Sequence, residues 1–526
     1  MFAGRVLWKA MPLAAVALAV GTMAMADSLV VKTDDGRVHG KLINNGAVRA
    51  FQGIPYAAPP VGDLRWKAPQ PAKAWKGDLD ATKYGHHCAQ NHVFDDMVFQ
   101  DSPTPADKGS EDCLTLNVYT PANEKSKAKL PVMFWIHGGG YSGGSSSEPR
   151  HNGDFLPTKG VILVTINYRL GVFGFLALPD LAAEQGGSSG DYGLMDMVAA
   201  LEWVKKNIGE FGGDPNNVTI FGESAGSFAV STLMAAPSAQ GLFAKAIGES
   251  GGALTSGALA MQPLSVAGPK EADWVKGLGV NSLTELRALS TDKILDAASK
   301  RGMVGFSPVI DGKFLTQPVV DIYEAGKQAH VPLIAGFNRD EGFFSGIGMT
   351  VEKWKATAAQ RFPEKVDEFL KLFPGATDAE ASRSAIDFGG DQFIAYGTWK
   401  WMEIDRKTGD PDVYRYKLDL AAPESKFHPG TWAFHSDDIE YIFGTLDTRP
   451  GATWRPEDRK LSEEMMGYWT NFAKKGDPNG PGLPEWPKYG AGDPVLHLDN
   501  PTTSRPDENR ARYEFWLAQD NKEEKK

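Results

Sequence analysis

The chain has very little cysteine and no late apolar run that is long enough to cross a membrane. Its 526 residues include only 2 cysteines, so a disulfide-rich scaffold or a cysteine-built metal cluster is not expected. We find no run of the roughly 20 apolar residues that a membrane helix requires. Acidic residues exceed basic ones, 66 against 55, and no basic stripe or arm is present. This balance disfavours nucleic acid and anionic membranes as partners.

The sequence also lacks any feature that would divide it into domains. Length alone suggests about three domains at one per ~150 residues. However, no Pro/Ser-rich spacer, repeat or low-complexity block interrupts the chain. We therefore expect a single large domain over residues 27–526, with long insertions. Nothing in the sequence specifies an oligomeric state.

The first 26 residues have the pattern of an export signal. Two basic residues precede an apolar run from Met11 to Val20, and Ala24-Met-Ala26 then precedes Asp27. A charged start, a short apolar run and a small-x-small site are typical of a secretory signal peptide. We predict that residues 1–26 are removed and that the protein is exported, either to a periplasm or to the medium.

Export also bears on Cys88 and Cys113. In an exported protein the simplest interpretation is one disulfide between them, closing a span of 113 − 88 = 25 residues. The alternative is a metal site, because His86, His87 and His92 lie nearby. Nothing there has zinc spacing, and Cys113 would be left over, so no metal is predicted.

Strand-like and helix-like patterns alternate along the chain. Continuous apolar runs at Val132–Ile136 and Val161–Ile166 are typical of strands in the middle of a sheet. Apolar residues at three- and four-residue spacing from Leu194 to Ile208 predict an amphipathic helix. Further strand candidates are 36–40, 51–55, 114–119, 218–222, 332–336, 413–418 and 513–517, and 251–300 and 351–394 are predicted helical insertions that could cap a site. The fold class is therefore α/β, with a large, mostly parallel sheet and helices on both faces.

The motif G-x-S-x-G occurs four times, centred on Ser142, Ser188, Ser224 and Ser250. A serine nucleophile needs a sharp strand-to-helix turn that exposes its hydroxyl. Ser188 has no strand before it, and glycine-rich segments follow Ser142 and Ser250. Only Ser224 has an apolar run before it, from Val218, and a helical pattern after it. We predict Ser224 as the nucleophile.

A serine nucleophile also needs backbone donors for the oxyanion. His137-Gly-Gly-Gly140 follows the Val132 strand, where residues without side chains let the backbone approach a substrate. We assign the donors to the N–H groups of Gly139, Gly140 and Ala225, the last at a helix N-terminus. His137 is interpreted as structural.

The residues alone leave the base and the acid undecided. The histidines after Ser224 are His330, His428, His435 and His497. His330 precedes a strand and would lie at the wrong sheet edge, and the alternation around His497 favours a solvent-facing position. His428 and His435 both follow the Val413 strand. The acid should follow the Pro332 strand, where Asp340 and Glu341 are adjacent, and spacing does not separate them.

Several blocks resemble the type-B carboxylesterases, the cholinesterase-like branch of the α/β-hydrolases. They are Glu111-Asp-Cys-Leu-Thr-Leu-Asn117, His137-Gly-Gly-Gly140, Phe221-Gly-Glu-Ser-Ala-Gly226, Asn338-Arg-Asp-Glu-Gly342, His435-Ser-Asp-Asp-Ile-Glu-Tyr-Ile-Phe-Gly444 and Tyr468-Trp-Thr-Asn-Phe-Ala473. The likeness extends from about Gly36 to Phe472. It implies an α/β-hydrolase fold and a serine carboxylesterase that acts on small-molecule esters through an acyl-enzyme, without metal or cofactor.

The resemblance also assigns individual residues. It points to Glu341 as the acid and His435 as the base, and it implies the Cys88–Cys113 disulfide. Glu223 resembles the family's site carboxylate, which would favour the imidazolium form of His435. The resemblance further implies structural salt bridges of Arg65 with Glu111 and of Arg169 with Asp196.

The departures from the family limit the choice of substrate. The cholinesterase tryptophan that stacks on a quaternary ammonium corresponds to Pro103, and the acyl-pocket aromatics correspond to Gly302 and Val304. Choline specificity is therefore not expected, and the acyl pocket is predicted to be roomier. The signal and the low cysteine content favour a bacterial source. Residues considered as pocket walls are Tyr141, Phe306, Phe343 and Phe344.

Other activities fit the same residues. An amidase, thioesterase or acyltransferase would use the same serine, histidine and glutamate. A more remote alternative is a cholinesterase-like binding protein without catalysis, which the presence of all three groups disfavours.

Overall fold

The structure is a computed structural model that describes residues 29–91, 109–123, 128–254, 259–302, 305–425 and 432–523. The predicted signal peptide at 1–26 lies outside these ranges, as do His92, Pro103, Val304 and His428. In the described residues, no helix combines the length and the apolar character that a membrane span requires.

Sixteen strands and fifteen α-helices make up the described chain. The strands are β1 Val30–Lys32, β2 Arg37–His39, β3 Lys41–Ile43, β4 Val48–Pro55, β5 Asp78–Asp80, β6 Thr115–Pro121, β7 Leu130–Ile136, β8 Ile162–Ile166, β9 Gly213–Glu223, β10 Lys245–Glu249, β11 Gln262–Pro263, β12 Val309–Ile310, β13 Leu333–Asn338, β14 Val413–Leu418, β15 Pro494–Leu498 and β16 Thr503–Pro506. The helices are α1 Gly171–Phe175, α2 Pro179–Glu184, α3 Tyr192–Asn207, α4 Ala225–Ala235, α5 Leu264–Lys276, α6 Leu283–Arg287, α7 Thr291–Ala298, α8 Val319–Glu324, α9 Val351–Arg361, α10 Val366–Leu372, α11 Asp378–Gly390, α12 Tyr396–Thr408, α13 Asp438–Phe443, α14 Pro456–Lys475 and α15 Arg510–Glu523.

An 11-stranded sheet forms the centre, in the order β16-β15-β14-β13-β10-β9-β7-β8-β6-β4-β3. Each neighbouring pair from β15 to β8 is parallel, and the strands at both edges are antiparallel. This arrangement confirms the predicted fold class. Two small separate sheets are present: in one, β2 pairs with β1 and β5, and in the other β11 pairs with β12.

Alternate residues of the central strands are buried in two different layers. On β7, Val132, Phe134 and Ile136 join one apolar cluster, which includes α3 and α4. Met133 and Trp135 point to the other face, where α13 and α14 cover them. Because both faces are covered, the strand reads as one continuous apolar run in the sequence.

Parallel order brings functional positions together at one edge of the sheet. Glu223, the last residue of β9, is in register with Glu249, the last residue of β10, and Glu249 is in register with Gly336 of β13. The residues that follow these strands therefore meet beyond their carboxyl ends, where α/β sheets commonly bind ligands.

The two predicted insertions are helical, but one predicted strand is not a strand. Helices α5 to α7 fall within 251–300, and α9 to α11 fall within 351–394. Residues 513–517 lie in α15 and not in a strand. Tyr513, Trp516 and Leu517 pack in one apolar cluster at helical spacing, so the strand prediction for this segment is wrong.

Three predicted cross-links are present in the fold. Cys88 and Cys113 form a disulfide with a Cα–Cα distance of 5.0 Å. Buried Arg65 and Glu111 are joined by two hydrogen bonds, of 2.7 and 2.5 Å. Arg169 and Asp196 are joined in the same way, at 2.7 and 2.6 Å. In both ion pairs two guanidinium nitrogens bond the two carboxylate oxygens, and the second pair ties the loop after β8 to helix α3.

Candidate active site

Ser224 lies on a sharp turn between β9 and α4. Its backbone φ is 54° and ψ is −122°, a strained conformation for a residue with a side chain. The Ser224 N–H donates to the carbonyl of Glu249 at 2.9 Å, which ties the turn to β10. A Cβ at Gly222 or Gly226 would lie 2.6 or 2.0 Å from the carbonyl oxygen of Ile136. The two glycines of the motif are therefore required because β7 passes so closely.

Ser224, His435 and Glu341 form one hydrogen-bonded chain. The Ser224 hydroxyl lies 2.8 Å from Nε2 of His435, and Nδ1 of His435 lies 2.6 Å from Oε2 of Glu341. With Nδ1 protonated and donating to Glu341, Nε2 is free to accept the serine proton. The side chain of Glu341 is 2% exposed and that of His435 is 24% exposed, so the imidazole is open to solvent and the carboxylate is not.

Asp340 and Glu341 point in different directions. The carboxylate of Asp340 forms ion pairs with Arg339 and Arg383 at 2.8 and 2.5 Å. It also accepts from the N–H of Ala433 at 2.9 Å. Asp340 therefore joins the segment after β13 to Arg383 of α11 and to Ala433, whereas Glu341 contacts the imidazole of His435.

Ser250 contacts Glu341, a role that the sequence did not reveal. Its hydroxyl donates to Oε1 of Glu341 at 2.6 Å, and the Asn338 N–H donates to the same oxygen at 2.8 Å. Ser250 has φ 54°, the same as Ser224 one strand away. The only sequence signal was its own G-x-S-x-G match after a strand.

The other histidines lie elsewhere. His330 is exposed and bonds to the carbonyl of Gly326 at 3.0 Å. The expectation that His497 faces solvent is wrong: it is 1% exposed, and its Nδ1 lies 2.5 Å from Asp419. The antiparallel strand β16 pairs with β15 at His497, and the buried imidazole donates its hydrogen bond to the carboxylate of Asp419, which directly follows β14.

Two of the predicted oxyanion donors, Gly139 and Gly140, have positive φ angles that favour glycine. Gly139 and Gly140 have φ of 103° and 59°. A Cβ at Gly139 would meet the Gly143 carbonyl at 2.2 Å. Among the described residues, no group accepts a hydrogen bond from the N–H of Gly139, Gly140 or Ala225. These donors are therefore available to a ligand.

Carboxylates dominate the electrostatics around His435. Oε1 of Glu223 lies 3.4 Å from Nε2 of His435 and accepts from the Ser436 hydroxyl at 2.8 Å. Burial lowers the pKa of His435, but the charges of Glu223 and Glu341 outweigh it and raise the pKa to about 9. Burial raises the pKa of Glu223 to about 7, although the nearby imidazolium opposes that rise.

Two further acids lie behind this pair. Burial, with the Glu341 charge, raises the pKa of Asp438 to about 6, and the Tyr416 hydroxyl donates to it at 2.9 Å. Burial raises the pKa of Glu249 well above its usual range, and the Trp469 indole N–H donates to Glu249 at 2.7 Å. Three buried carboxyl groups, Glu223, Glu249 and Asp438, therefore lie on the sheet side of His435, and burial raises the pKa of each.

The predicted pocket walls fall into two groups. Tyr141 is buried against Phe175, with ring centroids 5.0 Å apart. Phe306 is buried and helps to line a cavity of about 100 Å³ together with Ser142, Leu170 and Gly302. Phe343 and Phe344 lie instead at the surface, and Phe344 is 65% exposed.

In the part of the chain that the structure describes, no cluster of three or more His, Cys, Asp or Glu side chains could hold a metal.

The sheet order and the serine turn define an α/β-hydrolase. Comparison with known proteins agrees: the sequence model described as "Carboxylesterase family" matches residues 27–516. The chain therefore belongs to the carboxylesterase family and is a carboxylic ester hydrolase.

Individual relatives cover nearly the whole chain. A fumonisin B1 esterase of Sphingopyxis macrogoltabida is 35% identical, covering 93% of this chain and 89% of the relative. The para-nitrobenzyl esterase of Bacillus subtilis is 35% identical, with 88% and 92% covered. A solved para-nitrobenzyl esterase structure superposes with a TM-score of 0.79 at 33% identity, covering 92% of this chain and 99% of that one.

Proposed function

We propose that this carboxylesterase acts through a Ser224–His435–Glu341 triad and a covalent acyl-enzyme. The observation that carries the proposal is the continuous chain of hydrogen bonds, 2.8 Å from serine to imidazole and 2.6 Å from imidazole to carboxylate. Nucleophile, base and orienting acid in this geometry are what acyl transfer by serine requires.

In the first half-reaction His435 takes the proton of Ser224 as the hydroxyl attacks the ester carbonyl. The negative charge that develops on the carbonyl oxygen is bound by the N–H groups of Gly139, Gly140 and Ala225. His435 then gives its proton to the leaving alcohol. Water repeats these steps on the acyl-enzyme and releases the acid, so neither a metal nor a cofactor takes part.

Glu223 is proposed to stabilise the imidazolium that forms in both half-reactions. Its carboxylate is 1% exposed and lies 3.4 Å from Nε2, on the side of the ring that faces the serine. A buried charge at this distance acts with little solvent screening. The same charge raises the pKa of the imidazole in the free enzyme, so a higher pH is needed before His435 is neutral and can act as the base.

The substrate is proposed to be a neutral small-molecule ester with room on both sides of the carbonyl. The cavity beside Ser142 and Gly302 would take the acyl group, with Leu170 and Phe306 as apolar walls. Two relatives are named for esters of their own, a fumonisin B1 esterase and a para-nitrobenzyl esterase, which supports an ester as the substrate class.

We further propose that residues 27–526 form one domain and that a signal peptide at 1–26 directs export from a bacterial cell. The Cys88–Cys113 disulfide supports an oxidising destination. Mass spectrometry of the N-terminus of the mature protein tests this proposal, and a chain that begins at Met1 would overturn it.

The triad is tested by labelling with a fluorophosphonate, which reacts only with an activated serine. Wild-type protein is expected to incorporate one label per chain on the peptide that contains Ser224, and S224A none. S142A serves as a matched control, because Ser142 belongs to another G-x-S-x-G segment. Labelling of S224A would move the nucleophile elsewhere.

A further inference from the structure

The loop that carries two of the proposed oxyanion donors forms a tight turn. We define the oxyanion loop as residues 138–144. The carbonyl of Gly139 accepts from the N–H groups of Ser142 and Gly143, at 2.9 and 3.0 Å. These bonds lie within the loop, so they fix its shape but not its position relative to Ser224. Its first residue is held in place by strand β7, whereas its last residue needs a contact with another segment.

The side chain of Gln90 makes that contact at Gly144. Its Oε1 accepts from the Gly144 N–H at 2.8 Å, and its Nε2 donates to the Gly144 carbonyl at 3.0 Å. The amide thus pairs with both backbone groups of one residue, as an antiparallel strand does. Nε2 also donates to the carbonyl of Cys88 at 2.9 Å. Both N–H groups of the amide are therefore used within the protein.

Gly144 lies against the start of the oxyanion loop. A Cβ at Gly144 would lie 2.4 Å from Nδ1 of His137 and 2.8 Å from the carbonyl oxygen of Gly138. Its φ of 110° is also one that side chains disfavour. Because the two ends of the loop pack so closely, a shift of Gly144 would displace Gly138 and the donors that follow it, Gly139 and Gly140.

The segment that carries Gln90 is itself anchored. Cys88 is joined to Cys113 by the disulfide, and the Ala89 N–H donates to the carbonyl of Ser110 at 3.0 Å. Gln90 also borders the cavity of about 100 Å³ beside the oxyanion loop. Its side chain therefore joins a cross-linked segment to a loop that has to be held precisely.

We propose that Gln90 is a positioning residue for the oxyanion loop. By holding Gly144 through both backbone groups, it keeps the N–H groups of Gly139 and Gly140 directed at the carbonyl oxygen that becomes charged. This inference rests on the proposed function. Such donors are effective because they are in place before the charge develops. A misplacement of about 1 Å can cost about 100-fold in rate.

The variants Q90A and Q90M test the proposal, and Q90M keeps most of the side-chain length without the hydrogen bonds. Each should lower kcat and kcat/KM for a p-nitrophenyl ester together, by about 10- to 100-fold, because the affected bonds form in the transition state. KM should stay within about threefold of wild type. The acid limb of the pH profile should not move, since the charges around His435 are unchanged.

A trifluoromethyl ketone provides the second measurement. It adds to the serine and forms a tetrahedral oxyanion, so it requires the same donors as the transition state. Its inhibition constant should rise in each variant by about the same factor as kcat/KM falls. Active sites are counted with the fluorophosphonate, so that rates refer to folded enzyme and lost folding is not read as lost rate.

Q240A is the matched control. Gln240 is exposed, and its Nε2 also donates to a distant carbonyl, that of Lys327, at 3.0 Å. Q240A therefore loses a comparable hydrogen bond between two segments. Its kcat and its inhibition constant for the ketone should stay within about twofold of wild type.

Other outcomes overturn the assignment. A higher KM with unchanged kcat would make Gln90 a substrate contact in the cavity. A lower kcat without weaker ketone binding would mean that the oxyanion donors are unaffected. Full activity in both variants would remove Gln90 from the reaction. Failure of the proposed function is distinguishable, because the wild-type enzyme would then resist both the ketone and labelling at Ser224.

Discussion

Ser250 donates a 2.6 Å hydrogen bond to Glu341. The serines that directly follow β9 and β10 thus contact opposite ends of the hydrogen-bonded pair His435–Glu341. Ser224 lies at the imidazole end and Ser250 at the carboxylate end. A hydrogen bond to a buried, charged carboxylate is worth about 1.5–3 kcal/mol. Ser250 is therefore a positioning residue that acts through Glu341.

S250A is expected to reduce kcat by about tenfold or more, because Glu341 loses a donor and its orientation. More of the carboxylate charge then acts on His435, so the acid limb of the pH profile should move to higher pH. Ester hydrolysis across pH measures both effects. S238A is the control, because Ser238 is an exposed residue of the turn Pro237–Ala239. A full-activity S250A with an unshifted profile would contradict the assigned role.

The second prediction concerns the acid limb of the wild-type enzyme. His435 must be neutral to accept the serine proton, so activity is present above its pKa and lost as the pH falls below it. Because Glu223 and Glu341 raise this pKa despite burial, the limb should lie above the usual histidine value of about 6.5. The pH dependence of kcat/KM measures it in the free enzyme.

E223Q removes one of the charges that raise the pKa of His435, so the acid limb should move to lower pH. The maximal kcat should fall as well, since the imidazolium loses a stabilising charge. E202Q is the matched control, because Glu202 is an exposed residue of α3. An acid limb that stays in place in E223Q would exclude Glu223 as the source of the raised pKa.

The base is tested by removing histidines one at a time. H435A should lower kcat by about 10⁴- to 10⁶-fold, as in other serine hydrolases that lose the base. H428A and H330A should keep activity within about twofold, since nothing assigns either residue to the reaction. Steady-state assays with a p-nitrophenyl ester measure kcat, and circular dichroism shows whether each variant is folded. An active H435A would transfer the role to another group.

The sheet could be predicted because its central strands are buried on both faces. Val132–Ile136 and Val161–Ile166 stand out as continuous apolar runs, and the structure places strands β7 and β8 there. The strand predicted for residues 513–517 is wrong: the segment lies in α15, where Tyr513 and Phe515 pack in two different apolar clusters. Because a helix places neighbouring apolar residues against different partners, a short apolar segment does not separate a helix from a strand.

The site was less predictable, because distant residues decide it. Spacing could not separate Asp340 from Glu341: the orientation of Asp340 depends on Arg383, which lies 43 residues further along the chain. The contact of Ser250 with Glu341 spans 91 residues. Local patterns identify a turn or a strand end, but only the packed sheet determines which side chains meet there.

The last prediction concerns the two glycines that surround Ser224. A Cβ at position 226 would lie 2.0 Å from the Ile136 carbonyl oxygen, so G226A must push β7 away from the serine turn. Overpacking of this kind costs about 1–3 kcal/mol or more, and the oxyanion loop that follows β7 should shift with it. The free energy of unfolding, measured with urea, and kcat should both fall. Gly209 is the matched control, because an added Cβ there meets nothing within 4 Å. G209A should stay within about 0.5 kcal/mol of wild type, and a G226A protein as stable and active as G209A would refute the steric account of the motif.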